Sequence, residues 1–266
     1  MKLGFVGGGT MGEAIIKSLL AKGAAKPSDI TVSDVSEARR NVLKKKYGVK
    51  VVADNKGAVR GAEVIVLAVK PQELSKVLGE MNGVSSQQLV LSIVAGAALE
   101  GLSQGLNHSC LVRAMPNMPA QIGEGITVWT ATAEVNQRQR EMAQSILAAL
   151  GKEIYVSGEK YIDMATALSG SGPAYVFLII EALVDAGVHI GLPRDMAEKL
   201  VVQTVLGSTR AVEAMGKHPA ELKNMVTSPG GTTTEGLLQL ESGGLRSLLL
   251  QAVIAAYNKA KALGAK

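Results

Sequence analysis

Four glycines stand in the run Gly7-Gly8-Gly9-Thr10-Met11-Gly12, just behind a short β-prone segment and at the head of an amphipathic one, and three of them fall at the spaced positions. The G-x-G-x-x-G spacing has a mechanical meaning. A first glycine permits a tight turn out of a strand, a second lets backbone approach a pyrophosphate, and a third lets helix lie close to strand. The helix behind them offers free N–H groups and a partial positive charge to phosphate oxygens. Gly7, Gly9, Thr10, Met11 and Gly12 are therefore expected to hold a dinucleotide. Without the flanking elements the same run would be only a glycine-rich turn.

The second β-rich run ends at Val32-Ser33-Asp34, with Asp34 twenty-two residues beyond Gly12. An acid there accepts hydrogen bonds from the adenosine ribose hydroxyls, which favours NAD(H). Arg39 and Arg40 follow closely and could face a 2′-phosphate instead, so NADH and NADPH both stay open. Ser33 and Asp34 are expected at the cofactor either way. Two further segments fall where strand ends should meet it: Ala68-Val69-Lys70-Pro71, and Ala95 with Gly96. Small residues there let a flat ring lie against backbone. Lys70 could serve as an acid or anchor its loop before Pro71; a cofactor contact is the favoured reading.

Far along the chain, Ser228-Pro229-Gly230-Gly231-Thr232-Thr233 breaks one helical stretch and begins another. Glycines followed by hydroxyl residues at a helix start leave a pocket of unpaired backbone N–H groups, able to hold a carboxylate without an arginine. The helix dipole contributes roughly 0.3–1 kcal/mol to such a site, up to ~2 when partly buried. Charge-assisted hydrogen bonds add to that. An ordinary capped turn is the plainer alternative. Ser169-Gly170-Ser171-Gly172-Pro173 opens a long helix, as a cap or as part of a substrate cleft. His108, His189 and His218 sit in no recognisable constellation, and no metal-ligand cluster is present in the pattern.

The elements that must position these residues have two grammars. Over 1–158, β-rich runs at 2–6, 30–34, 49–53, 63–69, 88–94, 110–114, 125–130 and 153–156 take turns with amphipathic stretches such as 11–22 and 36–47. That alternation implies an α/β, doubly wound and largely parallel sheet of Rossmann type. Over 159–266 strands cease, and 160–187, 193–216, 219–226, 232–241 and 243–263 read as helices. Segments such as 176–183 and 248–256 are apolar over more than one stripe and need cover on most sides. A second copy of the chain is the expected cover, giving a homodimer with a C-terminal all-α dimerisation domain.

Composition narrows the class. Of the net charge of +5, residues 1–60 carry twelve Lys/Arg against five Asp/Glu, so the basic excess lies in the half expected to bind an anionic ligand. Lys44-Lys45-Lys46 has no interleaved aromatics, which argues against nucleic acid. A lone Cys110, read as buried filler, excludes an internal disulfide and fits a reducing, cytoplasmic location. The glycine cluster at residue 7 leaves no space for a leader's apolar segment, and 173–192, broken by Glu181, Asp185 and His189, reads as too polar and short to span a bilayer. No membrane association is expected.

The whole chain resembles the pyrroline-5-carboxylate reductases. The most specific match runs from Pro219 through Ser228-Pro229-Gly230-Gly231-Thr232-Thr233-Thr234-Glu235 to Leu237. Supporting matches are Asp54-Asn55-Lys56, Ala68-Val69-Lys70-Pro71, Arg113-Ala114-Met115-Pro116-Asn117, the stretch 167–175, and Glu241-Ser242-Gly243-Gly244. The resemblance implies a Rossmann domain with a helical dimerisation domain, often assembled as pentamers of dimers, and Asn55 with 68–71 at the cofactor. It implies reduction of 1-pyrroline-5-carboxylate to L-proline by hydride from NADPH or NADH, the last step of proline biosynthesis. Ser228, Gly230, Gly231, Thr232 and Thr233 would hold the substrate, with the Thr233 hydroxyl at the ring nitrogen. An iminium can form by protonation from solvent, and alignment of two bound partners can supply up to ~7–11 kcal/mol. Asp34 departs from the uncharged or basic residues often found there, which puts a preference for NADPH in doubt. The rival readings are a β-hydroxyacid dehydrogenase, a broader imine reductase and a non-catalytic dinucleotide sensor. The first expects a lysine soon after the Gly-rich turn, and the helix following Gly172 has none.

Overall fold

Each of the eight β-rich runs forms a strand in the computed structural model, which describes residues 1–81 and 83–264. In chain order these are β1 (Leu3–Val6), β2 (Ile30–Ser33), β3 (Lys50–Val52), β4 (Val64–Leu67), β5 (Leu89–Ser92), β6 (Leu111–Met115), β7 (Gly125–Ala131) and β8 (Gly151–Tyr155). Interleaved with them are α1 (Thr10–Ala21), α2 (Glu37–Tyr47), α3 (Asn55–Val59), α4 (Leu74–Glu80), α5 (Leu99–Leu106) and α6 (Gln137–Ala148). The strands make one sheet in the order β3-β2-β1-β4-β5-β6-β7-β8. Only the β6–β7 ladder is antiparallel.

Alternation within the strands loads both faces of this sheet. Leu3, Phe5, Val32, Val66 and Leu91 pack with Ile15, Ile16 and Leu19 of α1 and with Ile146 and Leu147 of α6. Val6, Ile65, Leu67 and Val90 point the other way, against Leu78 of α4 and Leu102 of α5. Each such buried side chain contributes about 1.5–3 kcal/mol relative to exposure. Local signals set the helix ends. Ser36 caps α2 by accepting the Arg39 N–H, and Gly48 closes it at φ +69°. Lys44, Lys45 and Lys46 occupy the last turn of α2, where cations complement the helix dipole. Asn136 and Gln139 form a capping box at α6.

The helices that follow are α7 (Lys160–Ala165), α8 (Gly172–His189), α9 (Arg194–Met215), α10 (Pro219–Met225), α11 (Thr232–Ser242) and α12 (Leu245–Gly264). The stretch read as one helix over 160–187 is interrupted by a π-turn at Thr166–Gly170. The hydroxyls of Thr166 and Ser169 donate to the carbonyls of Ile162 and Ala165, and the Ser171 N–H reaches back to the Thr166 carbonyl. Such back-bonding competes with the regular ladder and loosens it. Taken whole, Lys160–His189 is long and apolar enough to cross a bilayer by length and composition. The span is longer than the 173–192 read from sequence, because the helix begins thirteen residues earlier; the packed helices of soluble proteins pass the same test.

Chain contacts gather into two compact units, Met1–Ser171 with the chain from Ala255 onward, and Gly172–Ile254. Within the second, α8 and α9 pack where Gly187 faces Ala197, which is 1% exposed. Little else there is covered: Val176, Phe177, Leu178, Leu200, Leu206 and Leu250 are among its exposed apolar side chains.

Candidate active site

The sheet topology collects most of the residues singled out above. Because β1 to β5 are parallel and in register, their carboxyl ends lie along one edge. Gly7 through Gly12 follow β1, Asp34 follows β2, Asn55 follows β3, Ala68 to Pro71 follow β4, and Ala95 with Gly96 follow β5. The chain leaves β1 toward β2 and β3, then returns to the other side of β1 as β4. The crevice at such a reversal is where open α/β sheets bind ligands.

The glycines divide by what a side chain would meet. Gly7 has φ +99°, and a Cβ there would lie 2.6 Å from the Ala68 carbonyl oxygen, so no other residue fits the turn. A Cβ on Gly12 would lie 2.5 Å from the Gly7 carbonyl oxygen, so Gly12 keeps the helix close to the loop rather than to the strand. Gly8, to which sequence reasoning gave no role, faces α2: a Cβ there would lie 2.5 Å from Cδ1 of buried Leu43, so that side chain would have to shift. Gly9 alone of the four faces open space. It is also the N-cap of α1 and supplies no side-chain acceptor, which leaves the first-turn N–H groups of Thr10 and Met11 facing outward. Nothing among the described residues calls for a glycine at position 9, whereas close approach of a pyrophosphate does. The cradle fits a dinucleotide.

Around the cradle the polar side chains are already organised. Asp34 accepts the Gly8 N–H at 2.9 Å and the Ser36 N–H at 2.8 Å. Arg40 donates to the carbonyls of Asp34 and Val35. Arg39 donates to the Gly8 carbonyl and ion-pairs with Glu13. Glu13 is also bonded by Lys46 and by the Tyr47 hydroxyl at 2.7 Å. Partial burial works against its ionisation, yet the hydrogen bonds from Tyr47, Lys46 and Arg39 prevail and hold its carboxyl down to about 2. Ser33 is fully buried, its hydroxyl 2.7 Å from Oδ1 of Asn55, whose Nδ2 donates to Glu80. Ala68 and Val69 are half-buried, while Lys70 and Pro71 are exposed at the start of a short 3-10 turn.

Gly96, at φ +75°, is pressed from outside: a Cβ there would lie 3.0 Å from Leu263 at the end of α12. The same loop is tied from within. Arg113, 4% exposed on β6, donates to Glu159 at 2.8 Å and to Asp163 at 2.7 Å. Glu159 also accepts the N–H of Leu99, the first residue of α5. Arg113 was legible only as part of a motif; the partners that give it a role come from 46 and 50 residues away. Cys110 is half-buried rather than buried. Buried His108 meets the Gln88 carbonyl, and His218 caps α10 by accepting the Ala220 N–H.

In the second unit the turn before α11 has the form its residues imply. Gly230 takes φ +66°, and the Ser228 carbonyl accepts both the Gly231 N–H and the Thr234 hydroxyl. A Cβ on Gly231 would lie 2.5 Å from Oγ of Ser228. Gly231 caps α11 with no side-chain acceptor, so the N–H groups of Thr232 and Thr233 lack partners in the helix. Thr233 is half-buried, and among the described residues none hydrogen-bonds its hydroxyl.

A strand-turn-helix cradle at the reversal of a doubly wound sheet defines a dinucleotide-binding α/β protein, here carrying a helical second unit. Residues 2–96 match the family of coenzyme F420-dependent NADP oxidoreductases, and residues 159–263 match the pyrroline-5-carboxylate reductase dimerisation family. A pyrroline-5-carboxylate reductase of Synechocystis sp. is 45% identical over 266 residues, covering 100% of this chain and 99% of the relative. The structure of pyrroline-5-carboxylate reductase from Coxiella burnetii superposes with a TM-score of 0.89 at 40% identity, covering 98% of each chain. That of the Plasmodium falciparum pyrroline carboxylate reductase with NADP bound gives 0.91 at 34% identity, covering 99% of this chain and 98% of the other. The chain belongs to the pyrroline-5-carboxylate reductase family.

Proposed function

We infer that this protein reduces 1-pyrroline-5-carboxylate to L-proline with NADPH or NADH, the closing step of proline biosynthesis. The observation that carries the reading is the Gly230–Gly231 turn. It presents bare N–H groups at a helix start, in a chain whose other unit holds a dinucleotide cradle. Bound reduced nicotinamide supplies the hydride that adds to the imine carbon. The chain supplies position and charge. Backbone N–H groups of Thr232 and Thr233 take the substrate carboxylate, with Ser228, Gly230 and Gly231 shaping the turn. The Thr233 hydroxyl holds the ring nitrogen, which carries the proton drawn from solvent. A protonated C=N is electrophilic, so no strong side-chain acid is required. At the cofactor, Gly7, Gly9, Thr10, Met11 and Gly12 take the pyrophosphate, and Ser33, Asp34 and Asn55 surround the adenosine ribose. Ala68, Val69, Lys70, Pro71, Ala95 and Gly96 border the nicotinamide.

The functional division follows at residue 158, a dinucleotide domain before it and a helical dimerisation and substrate domain after it. A homodimer covers the apolar helix faces, and dimers can assemble further into decamers. The single cysteine supports a cytoplasmic location, with neither nucleic acid nor membrane as partner. Loss of NADH or NADPH absorbance on adding pyrroline-5-carboxylate tests the reading, with 3-hydroxyisobutyrate and NAD(P)+ as the competing assay. Turnover of the imine is expected, and faster oxidation of the hydroxy acid would reverse the assignment. Residues Gly172–His189 contain no lysine to serve that second chemistry.

A further inference from the structure

We propose that Glu13 is a positioning residue for cofactor choice: by pairing with Arg39 it withholds that guanidinium from a 2′-phosphate and keeps the site open to NADH. The two arginines beside the ribose position differ in what they touch. Among the described residues Arg40 bonds only carbonyl oxygens, those of Asp34 and Val35, and has no ionic partner. Arg39 lies against the glycine loop itself, donating to the carbonyls of Gly8 and Gly9 and to the carboxylate of Glu13. One residue places it. The Gly8 N–H bonds Asp34 while the Gly8 carbonyl receives Arg39, so the acid for the ribose hydroxyls and the sequestered cation are held by the same glycine. A 2′-phosphate beside Asp34 would fall within that span.

Glu13 is well suited to withholding a charge. It sits in the first turn of α1, and its two carboxylate oxygens are divided between Arg39 on one side and Lys46 with Tyr47 on the other. Lys46 is more than half exposed, so its charge is met by solvent; Arg39, 26% exposed, depends far more on Glu13. Removing the carboxylate charge leaves a cation at the edge of the ribose site, and a doubly charged phosphate gains most from it.

The inference rests on the dinucleotide occupying the glycine loop, and 5′-ADP binding to the unaltered protein checks that separately. Calorimetric titration of NADH, NADPH, 5′-ADP and 2′,5′-ADP would be carried out on the full-length protein, Glu13→Gln, Arg39→Gln and the double variant. Glu13→Gln should tighten NADPH and 2′,5′-ADP by roughly tenfold relative to NADH and 5′-ADP, and the double variant should lose that gain. Arg39→Gln alone should leave the NADPH/NADH ratio within about twofold, since its charge is already answered. A shift of both cofactors together in Glu13→Gln would make the cluster a structural staple and overturn the proposal. So would a gain that survives in the double variant. Should Glu13→Gln not fold, Arg39→Gln decides alone: a tenfold fall in NADPH preference would mean that Arg39 already reads the phosphate.

Discussion

Thr233 and Glu13 illustrate two ways a single side chain acts. Thr233 stands one residue into α11 with its hydroxyl unengaged by any described residue, which is the state expected of a group kept for a ligand. Thr233→Ala should lower kcat while leaving the Kd of NAD(P)H within twofold. Loss of one hydrogen bond at the ring nitrogen costs about 1–3 kcal/mol, and an unchanged kcat in steady-state assays would remove Thr233 from the mechanism. Glu13 does the opposite, spending both oxygens within the fold. Its carboxyl ionises at about 2 in the folded chain against an ordinary 4.5. A depressed acid stabilises the fold above the unfolded value and loses that contribution as pH falls through the folded one. Thermal stability should therefore decline between pH 4.5 and 2, and Glu13→Gln should flatten that part of the profile. A variant with an undiminished slope would assign the acid lability to other carboxylates, Glu63 first, whose carboxyl the Lys2 N–H also holds low.

At the scale of elements, the cofactor edge is built from strand ends and then braced. β1 stops at Val6, where its run ends, while β2, β4 and β5 stop at Ser33, Leu67 and Ser92, one to two residues short of theirs, so that Asp34, Ala68 and Val69 join Gly7 as loop. The register Val6↔Ser33 and Val6↔Leu67 is the last rung on either side of β1, and the positive φ of Gly7 ends the ladder there. Arg113 braces the loop after β5 through Glu159 and the Leu99 N–H. Arg113→Ala would strand two carboxylates; for a fully buried pair that costs about 3–5 kcal/mol, and less here because Glu159 is 31% exposed. The melting temperature should fall by several degrees, with NAD(P)H affinity falling alongside. Stability lost without loss of affinity would separate the brace from the cofactor loop.

For the whole molecule, the second unit leaves more apolar surface than a chain of its size hides by itself. Phe177, Leu206 and Leu250 are 49%, 42% and 62% exposed. Helices apolar on several sides are stable only when covered, and the matched dimerisation family agrees with a second copy as the cover. Phe177→Glu with Leu206→Glu should yield monomers by sedimentation, accompanied by a lower melting temperature. A mass unchanged from the parent would place the interface on other faces.

Much of this was written in local pattern. β-rich runs marked all eight strands, the glycine spacing marked the cradle, and proline and glycine marked helix ends such as Pro193 and Gly216, because each depends on residues within a few positions of one another. The π-turn at Thr166–Gly170 escaped that reading, since composition does not tell an i to i+5 bond such as that from the Ser171 N–H to the Thr166 carbonyl from the regular helical one. So did the purpose of Gly8, set by Leu43 of another helix, and the partners of Arg113 and Glu13, which come from distant chain. Composition and spacing by themselves determined the fold class and the loops where chemistry belongs. Only the tertiary structure decided which charges near the ribose are free and which are spent, because pairing is a matter of distance in space, and a linear chain does not carry that distance.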